Sequence, residues 1–182
     1  NAAGGYITPG FIDIHRHGDW QAFGNGDDQL LNRQGLTTVV NGNCGLSVAP
    51  AGKKFEKEIA GFLSSVTGNS KSRETEMMST MYSYMSALEK EGRSVNTGML
   101  AGNGTIRAGV KGYVSGKLSK EEVHQVWDAV EESLAAGVLG ISLGIAYAPE
   151  FEYDRDGLVE ALQPLKGTDI PVTVHIRNEG DG

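Results

Sequence analysis

Tyr6-Ile7-Thr8-Pro9-Gly10-Phe11-Ile12-Asp13-Ile14-His15-Arg16-His17 is the stretch that decides the fold. It reads as one buried strand that ends in two histidines. Side chains alternate faces along a strand. Phe11, Asp13, His15 and His17 therefore point one way, and Ile12 and Ile14 the other. The isoleucine face suits packing against a covering helix. The other face carries a carboxylate and two imidazoles at the strand's C-terminal end. Imidazoles two positions apart can bind one metal ion, with Asp13 one step below to orient a ring. Histidines at a strand end also read as solvated or bonded to the backbone, and this stretch alone leaves both open.

Outward from His17 comes a glycine-rich loop, 18–26, then a short helix over 27–34 with Asp27 and Asp28 near its start and Gly35 as its stop. Leu36-Thr37-Thr38-Val39-Val40 is a second, β-branched strand. It ends in Asn41-Gly42-Asn43-Cys44-Gly45, so a metal-capable side chain again sits just past a strand end. Helical character is expected over 55–66 and an exposed loop over 67–72. A helix is expected over 74–91, with Met77, Met81, Met85 and Leu88 on one stripe that reads as core packing. A third strand, 95–100, runs into a loop, 101–107.

The clearest helix covers 119–136. Ser119 and Glu122 form a capping box; Val123, Val126, Trp127, Val130 and Leu134 make the apolar face; Gly137 is the stop. His124, beside that face, reads as structural or solvated. A fourth strand, 138–145, precedes Ala146-Tyr147-Ala148-Pro149. A helix over 156–165 leads to a fifth strand, 171–176, which contains His175.

Strands alternating with helices across short connections imply a parallel α/β sheet. An open doubly wound sheet binds ligands at a topological switch point. A (β/α)8 barrel gathers residues from the C-terminal ends of several strands. His15, His17, Cys44 and His175 follow strands one, two and five, a distribution that favours the barrel. About five parallel strands cannot close eight, so residues 1–182 are expected to be one truncated TIM-barrel domain, with strands 1 and 5 as open edges that invite oligomerisation.

The totals agree with a single domain: 182 residues are enough for a real core. A net charge of −7 argues against nucleic acid or an anionic membrane surface as a partner. No apolar run is long enough to span a bilayer. The single cysteine excludes an internal disulfide framework and suits a reducing, cytoplasmic setting. The 26 glycines, roughly twice the usual share, mostly flank the apolar runs, as expected for tight loops.

Three imidazoles and one thiolate suit zinc or a similar borderline metal. For Cys44 and His175 the plainer readings are a small buried hydrophobe and a hydrogen-bonded barrel histidine. Tyr147 and Arg177, both after strand ends, are candidates for a substrate carboxylate; Tyr147 equally packs, and Arg177 equally pairs with Glu179 or Asp181. Asp19 reads as a solvated loop carboxylate or a support to the metal ligands, and Arg107 is similar.

Pro9-Gly10-Phe11-Ile12-Asp13-Ile14-His15-Arg16-His17 resembles the first-strand motif of the amidohydrolase superfamily. Residues 35–50, with the Asn43-Cys44-Gly45 turn, resemble its N-acyl-D-amino-acid deacylase (D-aminoacylase) branch, in which a cysteine after the second strand ligates metal. Residues 140–147 and 175–180 look like segments of the same branch. The resemblance implies hydrolysis of a linear amide C–N bond in a small N-acyl-D-amino acid by metal-bound hydroxide, with one or two zinc ions. It places Cys44 and His175 at the tighter metal position and His15 and His17 at the second. The family's further histidine ligand, its catalytic aspartate and its small β domain have no counterpart in these residues, so the chain alone is expected to be inactive. Asn103 stands where the family carries a histidine in a Gly-x-Gly-Thr-x-Arg segment. A cyclic amide or N-acetyl sugar as substrate, or a non-catalytic metal-binding fragment, are the competing readings.

Overall fold

The computed structural model describes residues 1–23, 25–68 and 75–180. Five parallel strands form one curled sheet in sequential order: β1 Phe11–Asp13, β2 Leu36–Asn41, β3 Asn96–Gly102, β4 Gly140–Gly144 and β5 Val172–His175. Between them run α1 Asn25–Arg33, α2 Glu56–Thr67, α3 Met81–Glu91, α4 Asn103–Lys111, α5 Lys120–Ala135 and α6 Arg155–Ala161. Each parallel pair needs a crossover, and the helices supply it. The result is part of a (β/α)8 barrel. No helix among the described residues is long and apolar enough to cross a membrane.

β4 shows why its sequence is a strand of the interior: all five residues are buried, as in a parallel strand covered on both faces. α5 begins at Ser119, whose hydroxyl accepts from the Glu122 amide while the Glu122 carboxylate accepts from the Ser119 amide. This reciprocal cap stabilises the helix start by about 1 kcal/mol. Val123, Val126 and Val130 are buried beneath it, and Val126 and Val130 join the core that contains Met81, Met99, Ile141 and Leu143. His124 is exposed and stacked on Trp127.

The first stretch departs from expectation. It is not one buried strand: only three residues have regular strand geometry, and Phe11, Ile12 and Ile14 are 62%, 62% and 70% exposed. β1 pairs with β2 alone, and no described element covers its outer face. The histidines survive this because backbone bonds still hold the strand's continuation, Arg16 donating to the Val40 carbonyl at 3.0 Å.

The helix expected over 74–91 is two pieces, a 3-10 turn Thr75–Met78 and then α3. Thr80 is extended and caps α3 from its hydroxyl, and the Glu132 carboxylate of α5 accepts from the Met81 and Tyr82 amides at 3.1 and 2.8 Å. Glu74, and residues 69–72 of the expected loop, lie outside the described residues.

The loop expected over 101–107 is instead the end of β3 and the start of α4. Two glycines, unfavourable for a helix, let it approach other backbone. A Cβ on Gly104 would come within 2.8 Å of the Gly45 carbonyl, and one on Gly109 within 2.6 Å of the Ala51 carbonyl.

Candidate metal centre

The turn after β2 is held open by backbone geometry that its residue types allow. Gly42, Cys44 and Gly45 have φ of +76°, +57° and +70°. A Cβ on Gly42 would overlap the Leu100 carbonyl, and one on Gly45 the Glu150 carboxylate, so glycine is required at both. Cys44, a non-glycine residue in the left-handed region, carries local strain that its surroundings must hold.

Those surroundings are specific. Ser142, fully buried on β4, donates from Oγ to the Gly42 carbonyl at 2.5 Å and accepts from the Gly45 amide at 2.9 Å. The Tyr147 hydroxyl donates to the Cys44 carbonyl in a short bond. Asn43, 2% exposed, donates from Nδ2 toward the Ile14, Arg16 and Val40 carbonyls, stitching the end of β1 to β2.

Asp19 is fully buried rather than solvated. It accepts from the Gly42 amide at 3.3 Å and the Val48 amide at 3.0 Å, one at each flank of the turn. Burial pushes its carboxyl up to about 7, against the pull of those amides.

The turn delivers Cys44 Sγ to 3.2 Å from His15 Nε2, and one ligand atom from each of His15, His17 and Cys44 lies within 4.8 Å of the others. Donors around a tetrahedral zinc sit about 3.5 Å apart, given its usual bond lengths to N and S. The cluster therefore fits a borderline metal with modest adjustment. His17 Nδ1 is buried without a hydrogen-bond partner among the described residues. Burial first, then the neighbouring imidazoles of His15 and His175, lower the His17 pKa, which favours the neutral, ligating ring. Burial raises the Cys44 pKa in the metal-free protein; a coordinated cation reverses that preference. Asp13 meets the backbone rather than orienting a ring: it accepts from the His15 amide at 3.1 Å.

His175, the last residue of β5, lines the same cavity of about 120 Å³ as His15 and Cys44, together with Ile14 and Thr173. It stands outside the tight cluster of three, edge-on to the Tyr147 ring at 5.2 Å, with Nε2 3.7 Å from Glu179. The Arg177 guanidinium donates to the Phe151 and Tyr153 carbonyls at 3.0 and 2.9 Å, tying the end of β5 to the segment after β4. Asp181, its other candidate partner, lies outside the described residues. Arg107 is buried, donates to the Gly116 carbonyl and lies over the Tyr153 ring.

Three supporting residues escaped the sequence reading. The sequence pattern assigns no role to Asn43 or Glu150. Ser142 did leave a signal: it is the one hydroxyl inside the apolar run Ile141-Ser142-Leu143.

No family model matches the chain. It is 32% identical to a D-aminoacylase of Alcaligenes xylosoxydans xylosoxydans over 181 residues, covering 100% of the chain and 36% of that protein. It is 30% identical to an N-acyl-D-aspartate deacylase of the same organism over 182 residues, covering 100% of the chain and 35% of the relative. A crystal structure of D-aminoacylase, described as defining a novel subset of amidohydrolases, superposes with a TM-score of 0.79 at 29% identity, over 95% of this chain and 35% of that one. An N-acyl-D-glutamate deacylase from Bordetella bronchiseptica, in complex with zinc and a phosphonate mimic of the tetrahedral intermediate, superposes with a TM-score of 0.82 at 30% identity, over 96% and 35%. The chain thus spans about a third of the length of the relatives it matches. It is homologous to the D-aminoacylases and N-acyl-D-amino-acid deacylases, a subset of the amidohydrolases.

Proposed function

We propose that the protein carrying this chain hydrolyses the amide bond of an N-acyl-D-amino acid, releasing a D-amino acid and a carboxylate. His15, His17, Cys44 and His175 hold one or two zinc ions in this reading. The observation that carries it is the convergence of two imidazoles and a thiol, within 4.8 Å, at the C-terminal ends of two adjacent parallel strands. That is the end of a (β/α)8 sheet where active sites are built.

When bound, zinc polarises the acyl carbonyl and activates water. The chain's own residues position the ligands. Asn43 and Ser142 fix the Cys44 turn, and the cavity between Cys44 and His175 admits a small group. Tyr147 and Arg177 now bond backbone carbonyls, so a contact from either to a substrate carboxylate requires that bond to open. The free thiol of Cys44 suits a reducing compartment such as the cytoplasm. The exposed outer strands β1 and β5 suit self-association, which sedimentation would test: a clean monomer counts against it.

The test pairs zinc content with turnover of N-acetyl-D- and N-acetyl-L-amino acids by the full-length protein. Zinc-dependent release of the D-amino acid supports the reading. Zinc-independent turnover, or full zinc content in Cys44→Ala, would overturn it.

A further inference from the structure

Glu150 is a carboxylate in a place where a carboxylate is costly. It is 1% exposed, and among the described residues no ion pair reaches it. Burial disfavours the ionised form of such a group, and the pull of Arg107 offsets this only in part, so a carboxyl here points to a specific task. Its neighbours show which. Oε2 accepts from the Gly144 amide, at the end of β4, at 2.6 Å. Oε1 accepts from Asn103 Nδ2, at the end of β3, at 2.8 Å. The same carboxylate lies against Gly45, directly after Cys44, so closely that a Cβ there would overlap it, and a Cβ on Gly104 would come within 2.9 Å. One side chain thus touches the segments that follow β2, β3 and β4.

Resting on the metal-site reading above, we propose that Glu150 is a positioning residue that holds the Cys44 turn in its ligating geometry. It acts through Gly45 and Gly144, and Asn103 orients it. Two features separate this from ordinary packing. The turn is strained at Cys44, with φ of +57°, and needs an external brace. The brace is also joined to the second wall of the site: the Tyr147 hydroxyl, on the same short segment as Glu150, holds the Cys44 carbonyl. Asn103 is itself fully buried, and its Nδ2 donates to the carboxylate.

The test is cobalt(II) binding, read by the cobalt–thiolate charge-transfer absorption, in the wild-type protein and in Glu150→Leu and Glu150→Gln. Leucine keeps the volume and removes both acceptors. Glutamine keeps one oxygen for the Gly144 amide. With the fold verified by circular dichroism, Glu150→Leu is expected to bind cobalt ~10–100-fold more weakly, with the absorption shifted or lost, the range found for residues that orient metal ligands. Glu150→Gln is expected to restore the wild-type absorption. Wild-type affinity and absorption in Glu150→Leu would overturn the proposal while leaving the metal site standing. No thiolate absorption in the wild-type protein would overturn the metal site, and this inference with it. Should Glu150→Leu fail to fold, Asn103→Ala removes only the orienting bond. A several-fold loss of cobalt affinity is then expected, and an unchanged affinity would overturn the proposal.

Discussion

Cys44 Sγ lies 3.2 Å from His15 Nε2, although 29 residues separate them in the chain. The contact joins the ends of β1 and β2, and its partners are a soft thiol and a ring nitrogen. In a metal-free protein it is a weak hydrogen bond. A borderline cation held here would take both groups as ligands. Cys44→Ser is therefore expected to keep the fold and lose the metal, since a hydroxyl does not ionise as a thiol does at neutral pH. Zinc is expected to fall from about one ion per chain to well below that, measured by elemental analysis after dialysis. Equal zinc in both proteins would show that Cys44 only packs.

Ser142 offers a stability test of the turn. Its hydroxyl serves the Gly42 carbonyl and the Gly45 amide together. Ser142→Ala leaves a buried donor and a buried acceptor unpaired, at about 1–3 kcal/mol for such a group. The variant is expected to unfold at lower urea with an unchanged m-value. Gly45→Ala is expected to be worse, because its Cβ would meet Glu150 and its φ of +70° excludes an unstrained side chain. A midpoint equal to wild type for Ser142→Ala would show that the bridge contributes nothing.

These supports mark the boundary of what the residue pattern conveys. Strand ends carry local signals, a β-branched run followed by a glycine turn, so His15, His17, Cys44 and His175 stood out, and their strand positions followed. The capping box at Ser119 is equally local and is seen as read. Burial of a loop residue has no local signal. Asp19 and Glu150 look solvated until the segments that enclose them are folded around them. α4 was hidden for a related reason: Gly104 and Gly109 weaken its propensity, and what they permit, close approach to the 45–52 segment, is a tertiary contact. The exposure of β1 was missed because alternation predicts which residues share a face, not whether anything covers it.

Away from the site, Asp28 and Arg93 form a nearly buried ion pair, and the Asp28 carboxylate also accepts from the Ser94 amide at 2.8 Å. Asp28→Ala strands the guanidinium and frees the amide, so a loss of roughly 3 kcal/mol is expected, as for a broken buried pair. Asp28→Ala with Arg93→Ala is expected to cost less than the sum of the single changes, because the second substitution removes the stranded charge. Strict additivity in a urea-unfolding cycle would show that the two side chains are not coupled.

The buried Glu150 gives stability a pH signature. Burial pushes its carboxyl up from 4.5 to about 7, against the pull of the Asn103 side chain, the Gly144 and Gly104 amides and Arg107. Tyr147, Tyr153 and Cys44 are the other titratable groups coupled to it. The folded protein therefore holds this proton more tightly than the unfolded chain. Its contribution is fully present below pH 4.5 and is lost as pH rises through about 7. A shift of this size corresponds to roughly 3 kcal/mol. Glu150→Gln removes that titration and leaves Asp19 and the histidines common to both proteins. Between pH 5 and pH 8, metal-free wild type is expected to lose about 2.5 kcal/mol more than Glu150→Gln in urea unfolding. Parallel pH profiles would place the Glu150 carboxyl back in the ordinary range, ionised in the folded protein across the whole interval.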